Sequence, residues 1–220
     1  MSYRIVLIHA TPVSLEPTGI AFQQQWPEAE TVNILDDSLS RDVQAAGHQT
    51  PRIIDRIVTL ARYGSDIGAS GLLFTCSAFG EAIEQAKKAV ALPVLTPNEA
   101  MFEEAVSAGT NIGLLATFAP SIPSMEKEFQ QLAQRMGKTL QLTSVLVPES
   151  MEALLSGDRA GHNRLLAAAA PQLSECDTVM LAQFSTSLAV KEVSQVLNAR
   201  VLTSPHSAVD KLRSMIDSDE

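Results

Sequence analysis

Leu72-Leu73-Phe74-Thr75-Cys76 is the stretch that decides the fold, because the chain repeats it as Val179-Met180-Leu181-Ala182-Gln183. Both are short apolar runs that lead into turn-forming residues, the pattern of a buried strand meeting a loop. Two further pairs of runs share the spacing. Arg4-Ile5-Val6-Leu7-Ile8 is echoed by Asn111-Ile112-Gly113-Leu114-Leu115, and Val94-Leu95-Thr96 by Val201-Leu202-Thr203. Positions 72 and 179, 4 and 111, and 94 and 201 all differ by 107. A repeat about half the chain long predicts two like units. The repeat aligns Cys76 with Gln183, and that mismatch bears directly on the chemistry.

Strand-like and helix-like runs alternate along both halves, the signature of parallel α/β architecture. The expected strands are Tyr3–Ala10, Thr31–Leu35, Gly71–Cys76 and Val94–Thr96, then Asn111–Ala116, Leu142–Val147, Thr178–Gln183 and Arg200–Thr203. Pro51–Tyr63 reads as a helix. Pro51 suits a first turn, Ile53, Ile54, Ile57, Val58 and Ala61 recur at helical spacing, and Gly64 is expected to stop it. Further helices are predicted over Glu81–Val90, Asn98–Ala108, Ser124–Met136, Arg159–Leu173, Leu188–Leu197 and Ser207–Ile216. The second strand runs out of step, since Leu35-Asp36-Asp37-Ser38 matches Val147-Pro148-Glu149-Ser150 at an offset of 112. The fold class is α/β: two pseudo-symmetric lobes, each a four-stranded parallel sheet flanked by helices, with the active site in the cleft between them. The expected lobes are 1–97 and 98–205, with the C-terminal helix 206–220 packing on the first.

The chain has 220 residues, 45% of them hydrophobic, enough to bury a sizeable core. No run approaches the roughly 18 apolar residues of a membrane span. The N-terminus passes straight into Tyr3-Arg4-Ile5-Val6 without the pattern of a signal peptide. Two distant cysteines do not make a disulfide framework and fit a reducing cytosol, so a cytoplasmic location is expected. A net charge of −9 without a Lys/Arg cluster argues against nucleic acid. No phosphate loop, GxSxG elbow or zinc spacing is present, so no metal is expected.

In open α/β sheets, ligands bind beyond the carboxyl ends of the strands. Here those ends are rich in hydroxyls and small residues and lack Lys and Arg: His9-Ala10-Thr11-Pro12, Thr75-Cys76-Ser77-Ala78, Thr96-Pro97-Asn98-Glu99, Ala116-Thr117-Phe118-Ala119, Gln183-Phe184-Ser185-Thr186 and Thr203-Ser204-Pro205-His206. Such a lining suits a small carboxylate held by hydroxyl and amide donors. Cys76 precedes a helix start, where the positive end of the dipole should lower its pKa. That suits a general base or a nucleophile; the alternative is a small buried hydrophobe. Cys176 lies before a strand, at the opposite end. His206 is either a titrating neighbour of the site or a polar helix-start residue. His9 reads as structural, and His48 and His162 as solvated.

The Thr75-Cys76-Ser77 strand end, its counterpart at Gln183 and the Ala116-Thr117 turn resemble the aspartate/glutamate/hydantoin racemase superfamily over essentially the whole chain. Typical members use two cysteines, one per lobe, as acid and base on opposite faces of a substrate α-carbon, without a cofactor. The relatives include arylmalonate decarboxylases and maleate isomerases. The resemblance implies that Cys76 is the first catalytic cysteine, that Thr117 binds substrate carboxylate, and that Gln183 replaces the second cysteine. Thr11, Ser14, Thr75, Ser77, Ala78, Phe118, Ser121, Phe184, Ser185 and His206 complete the expected substrate site. An amide does not shuttle protons near neutrality, so ordinary two-cysteine racemisation is impaired unless a neighbour substitutes. The implied activity is a cofactor-independent racemase or epimerase. A one-cysteine decarboxylase, a cis-trans isomerase of a dicarboxylate and a non-catalytic carboxylate-binding protein are the alternatives. A homodimer is the expected assembly.

Overall fold

Ile5, Val6, Leu7 and Ile8 are all buried, so the first strand, β1 (Arg4–His9), lies inside its sheet rather than at an edge. The computed structural model describes residues 3–218. In chain order the first half holds β1, α1 (Leu15–Gln25), β2 (Glu30–Leu35), α2 (Ser38–Ala46), α3 (Pro51–Asp66), β3 (Gly71–Phe74), α4 (Gly80–Ala89) and β4 (Val94–Leu95). Its sheet has the order β2-β1-β3-β4, with every pairing parallel. The central strands read as unbroken apolar runs because helices cover both of their faces. The edge strand β2 is only partly buried.

The second half repeats the plan with α5 (Glu99–Ala108), β5 (Asn111–Ala116), α6 (Ile122–Arg135), β6 (Gln141–Leu146), α7 (Pro148–Leu155), α8 (Arg159–Ala169), β7 (Thr178–Leu181), α9 (Val190–Val196), β8 (Arg200–Thr203) and α10 (Ser204–Ser218). Its sheet order is β6-β5-β7-β8, again parallel throughout. The repeat extends to register. Ile5 pairs with Gly71 and Ile112 with Thr178, each 107 residues on. The second strand departs from the sequence alignment, for Arg4 pairs with Glu30 and Asn111 with Gln141, which makes β2 and β6 equivalent at 111 rather than 112. Aligning Ser38 with Ser150 set the larger value; hydrogen bonding sets the smaller.

One compact unit runs to Pro97 and takes back the chain from Ala208, and the other holds Asn98–Ser207. The division falls inside α10. Within the first unit, Leu212 and Ile216 of that helix close on Gly71, where an added Cβ would lie 3.1 Å from each. Arg213 stacks over Trp26 at 5.9 Å and donates to the Gln25 carbonyl. Residues 219 and 220 of the expected 206–220 helix lie outside the described residues.

Helix α3 does not stop at Gly64. A Cβ there would meet Leu72 Cδ2 at 2.7 Å and Val6 Cγ1 at 3.2 Å, so the glycine is the contact through which α3 settles on β1 and β3. The predicted strands Gly71–Cys76, Thr178–Gln183 and Val94–Thr96 end earlier, at Phe74, Leu181 and Leu95. Their last residues turn away into loops and so become available as site residues. Pro171 converts the end of Arg159–Leu173 into a 3-10 turn over Ala170–Leu173. Helices α1, α2 and α7 have no counterpart in the prediction, and Ser38 opens α2.

Candidate active site

At the carboxyl ends of β1 and β3, one buried network sets the surroundings of Cys76. His9 is fully buried, and its Nε2 faces Asn33 Oδ1 at 3.0 Å. That oxygen only accepts, so Nε2 carries the proton and Nδ1 is an acceptor. Ser14 Oγ lies 2.8 Å and Thr75 Oγ1 3.0 Å from Nδ1. Ser14 donates to the Thr11 carbonyl at 2.9 Å, which leaves the Thr75 hydroxyl to serve the imidazole. Burial keeps His9 below its ordinary pKa, opposed by the hydrogen bond to Asn33, and hence neutral. Its role is to pin Thr75, the residue before the cysteine.

Cys76 is half-buried and follows β3, and a 3-10 turn over Ser77–Phe79 leads from it into α4. Burial raises its pKa; the Ala78 N–H and the Ser40 hydroxyl oppose that rise without cancelling it. The expected lowering by a helix start is therefore overturned. A single turn supplies few aligned dipoles, while the crowding of protein around the sulfur acts on the thiolate directly. A cavity of about 10 Å³ lies beneath, lined by Ile8, His9, Ala10, Leu39, Ile57, Phe74, Cys76 and Phe79. It has room for roughly one water and none for an amino acid.

In the second unit, Gln183 follows β7 with φ 64° and ψ 149°, the only non-glycine residue of positive φ among the described residues. Side chains avoid this region, and occupying it costs of order 1–3 kcal/mol. The side chain is fully engaged. Oε1 accepts from Thr117 N–H at 3.1 Å and Thr117 Oγ1 at 3.2 Å, and Nε2 donates to Ser121 Oγ at 2.8 Å. Because a backbone N–H can only donate, it fixes which end of the amide faces Thr117. Ser121 donates to the Phe118 carbonyl at 2.8 Å, repeating the Ser14-to-Thr11 bond 107 residues on.

The remaining expected residues divide. Thr11 and Ser77 are half-buried and Ala78 is exposed, all beside Cys76. Phe118 is 48% exposed, whereas Phe184 and Ser185 are buried in the 3-10 turn after Gln183. Ser185 Oγ is buried without a hydrogen-bond partner. The N-cap positions of the two 3-10 turns are Cys76 and Gln183, and neither makes a side-chain cap hydrogen bond. His206 pairs through Nδ1 with Thr203 Oγ1 at 2.6 Å in the first turn of α10. His162, expected to be solvated, is fully buried on α8 against Asn163. Cys176 lies before β7, at the amino end of that sheet. Among the described residues no group of His, Cys, Asp or Glu could hold a metal ion, and no helix is long and apolar enough to cross a membrane. Sequence reasoning passed over Ser40 and Asn33. Ser40 stands on the helix that follows β2, so the strand-end rule applied to that helix would have found it.

Residues 21–212 match the Asp/Glu/Hydantoin racemase family. The chain belongs to this family. Glutamate racemase from Francisella tularensis, solved in complex with D-glutamate, superposes with a TM-score of 0.71 at 14% identity over 99% of this chain and 82% of its own. An aspartate racemase homologue from Pyrococcus horikoshii gives 0.72 at 15% over 99% and 100%, and unliganded arylmalonate decarboxylase 0.67 at 14% over 100% and 95%. At such identities the likeness establishes the fold alone. No curated protein matches the sequence. Membership supports a racemase-type enzyme, and the two parallel sheets are those of the family's solved structures.

Proposed function

We propose that the protein is a cofactor-independent enzyme acting at the α-carbon of a small carboxylate, with Cys76 as its proton-transfer or nucleophilic group. The observation that carries this reading is the thiol after β3, with the Ala78 N–H and the Ser40 hydroxyl favouring its charged form. A raised pKa keeps the group protonated at neutrality, which suits delivery of a proton to a carbanion or enediolate. Thr11 and Ser77 would hold the carboxylate beside Ala78, with Thr75 positioned by His9. Thr117, Phe118, Ser121, Phe184, Ser185 and His206 belong to the same proposal. The reading includes a cytoplasmic, homodimeric enzyme.

Gln183 favours a second form of it. On this reading Gln183 takes the position of a two-base racemase's other acid, and its amide is spent on Thr117 and Ser121. One-sided chemistry, such as decarboxylation of a malonate-type acid or a thiolate-assisted isomerisation, needs only the one thiol. Incubation in deuterium oxide with the enantiomers of aspartate and glutamate, and separately with arylmalonate and maleate, tests both forms. Deuterium at the α-carbon supports racemisation, and carbon dioxide release or isomerisation supports the one-thiol form; each should vanish in Cys76→Ala. Carboxylate binding without turnover, unchanged by Cys76→Ala, would overturn the reading in favour of a binding protein.

A further inference from the structure

Gln183 combines two features that ordinarily exclude each other. Its backbone occupies a conformation that suits glycine, yet its side chain is bonded at both ends. A residue persists in such a conformation only when its surroundings over-determine it. Here the surroundings are Thr117 and Ser121, both nearly buried. The backbone N–H and the hydroxyl of Thr117 converge on one oxygen, at 3.1 and 3.2 Å. That is the arrangement a carboxylate oxygen would find there, and a carboxamide is its uncharged isostere.

We propose that Gln183 is a resident ligand of the second unit: its carboxamide fills a carboxylate-binding donor pair at Thr117, and a small carboxylate enters only when Gln183 turns out. The exchange is chemically matched. A carboxylate makes stronger hydrogen bonds to the same donors than an amide does. The first unit contains the complementary case. There the equivalent serine, Ser14, lies 3.0 Å from Thr75 Oγ1 and 2.8 Å from His9 Nδ1, and the residue aligned with Gln183 is not needed to hold it. The inference deepens the proposed function and rests on its placing of a carboxylate at Thr117; it concerns occupancy of that residue whether or not Cys76 reacts.

Acetate titration of the full chain, followed through the Thr117 amide resonance, tests the proposal. In Gln183→Gly the resonance should respond at an acetate concentration at least about tenfold lower than in the native protein, the factor expected if Gln183 holds the donors nine-tenths of the time. Equal midpoints, or a variant response that leaves the Thr117 amide unmoved, would overturn it. Gln183→Glu gives an independent reading that needs no opened site. The introduced carboxyl should titrate below the ordinary glutamate range, because the Thr117 donors favour its charged form. An ordinary or raised value refutes the idea.

Discussion

Replacing Gln183 by alanine and by glycine separates two energies that the native residue combines. Both variants lose the same hydrogen bonds, to Thr117 N–H, Thr117 Oγ1 and Ser121 Oγ, with a weak fourth to Met125 Sδ. At about 0.5–1.5 kcal/mol each, with water able to reach a half-buried position, the shared loss is roughly 2–3 kcal/mol. The variants differ only in backbone. At φ 64° and ψ 149°, alanine retains the strain of about 1–3 kcal/mol and glycine does not. Glycine gives back about 0.4–1 kcal/mol through the freedom it adds to the unfolded chain. Gln183→Gly should therefore be more stable than Gln183→Ala by about 1–2 kcal/mol, the reverse of the order at an ordinary site. Urea unfolding of both variants measures this, provided the denaturant slopes agree. An alanine variant as stable as the glycine variant, or more so, would refute the strain and with it the over-determined backbone.

Two other outcomes follow from the buried histidines. His9→Leu removes the acceptor of Thr75 and the donor to Asn33, and should cost about 1–3 kcal/mol in urea unfolding; a neutral substitution would show that the hydroxyls pair equally well without the imidazole. Burial, opposed by side-chain hydrogen bonds, holds both His9 and His162 below the ordinary 6.5, so the unfolded chain binds more protons in the window beneath that value. Stability is then fully present above about pH 6.5 and falls as the pH drops through the folded values. Asp177, held low by the Asn111 and Thr110 backbone N–H groups, adds a second loss below the ordinary carboxylate range. A stability profile flat from pH 7 to 5, or one unaltered by His9→Leu, contradicts the assignment.

The central strands were legible because strands buried on both faces leave unbroken apolar runs, and a repeated spacing of 107 needs no structure to be seen. Helices α1, α2 and α7 were not. α1 carries Pro17 and Gly19, α2 buries only Leu39, and α7 buries only Ser150, so each depends on tertiary packing more than on local pattern. At the candidate site, strand-end position singled out Cys76 and Gln183, but local reasoning assigned the wrong sign to the Cys76 pKa. The helix start is visible in sequence, whereas crowding by Leu39 and Ile57 comes from distant segments. The Gln183 backbone was equally hidden, since nothing marks a glutamine for a conformation that favours glycine.

The difference between the halves is one of networks rather than of a single residue. In each unit a serine after the first strand donates to the carbonyl three residues earlier and must be met from the end of the third strand. In the first unit Thr75 Oγ1 lies 3.0 Å from it and both hydroxyls lie within 3.0 Å of His9 Nδ1, so the residue at position 76 is free to be a thiol. The positions aligned with His9 and Thr75 are Ala116 and Ala182, which can do neither. The task passes to the next residue, and only a side chain long enough to reach Ser121 and Thr117 together performs it. A thiol at position 183 in this framework would leave the Thr117 N–H without its protein acceptor and Ser121 without its donor. Cysteine in one half and glutamine in the other thus follow from which residues precede them.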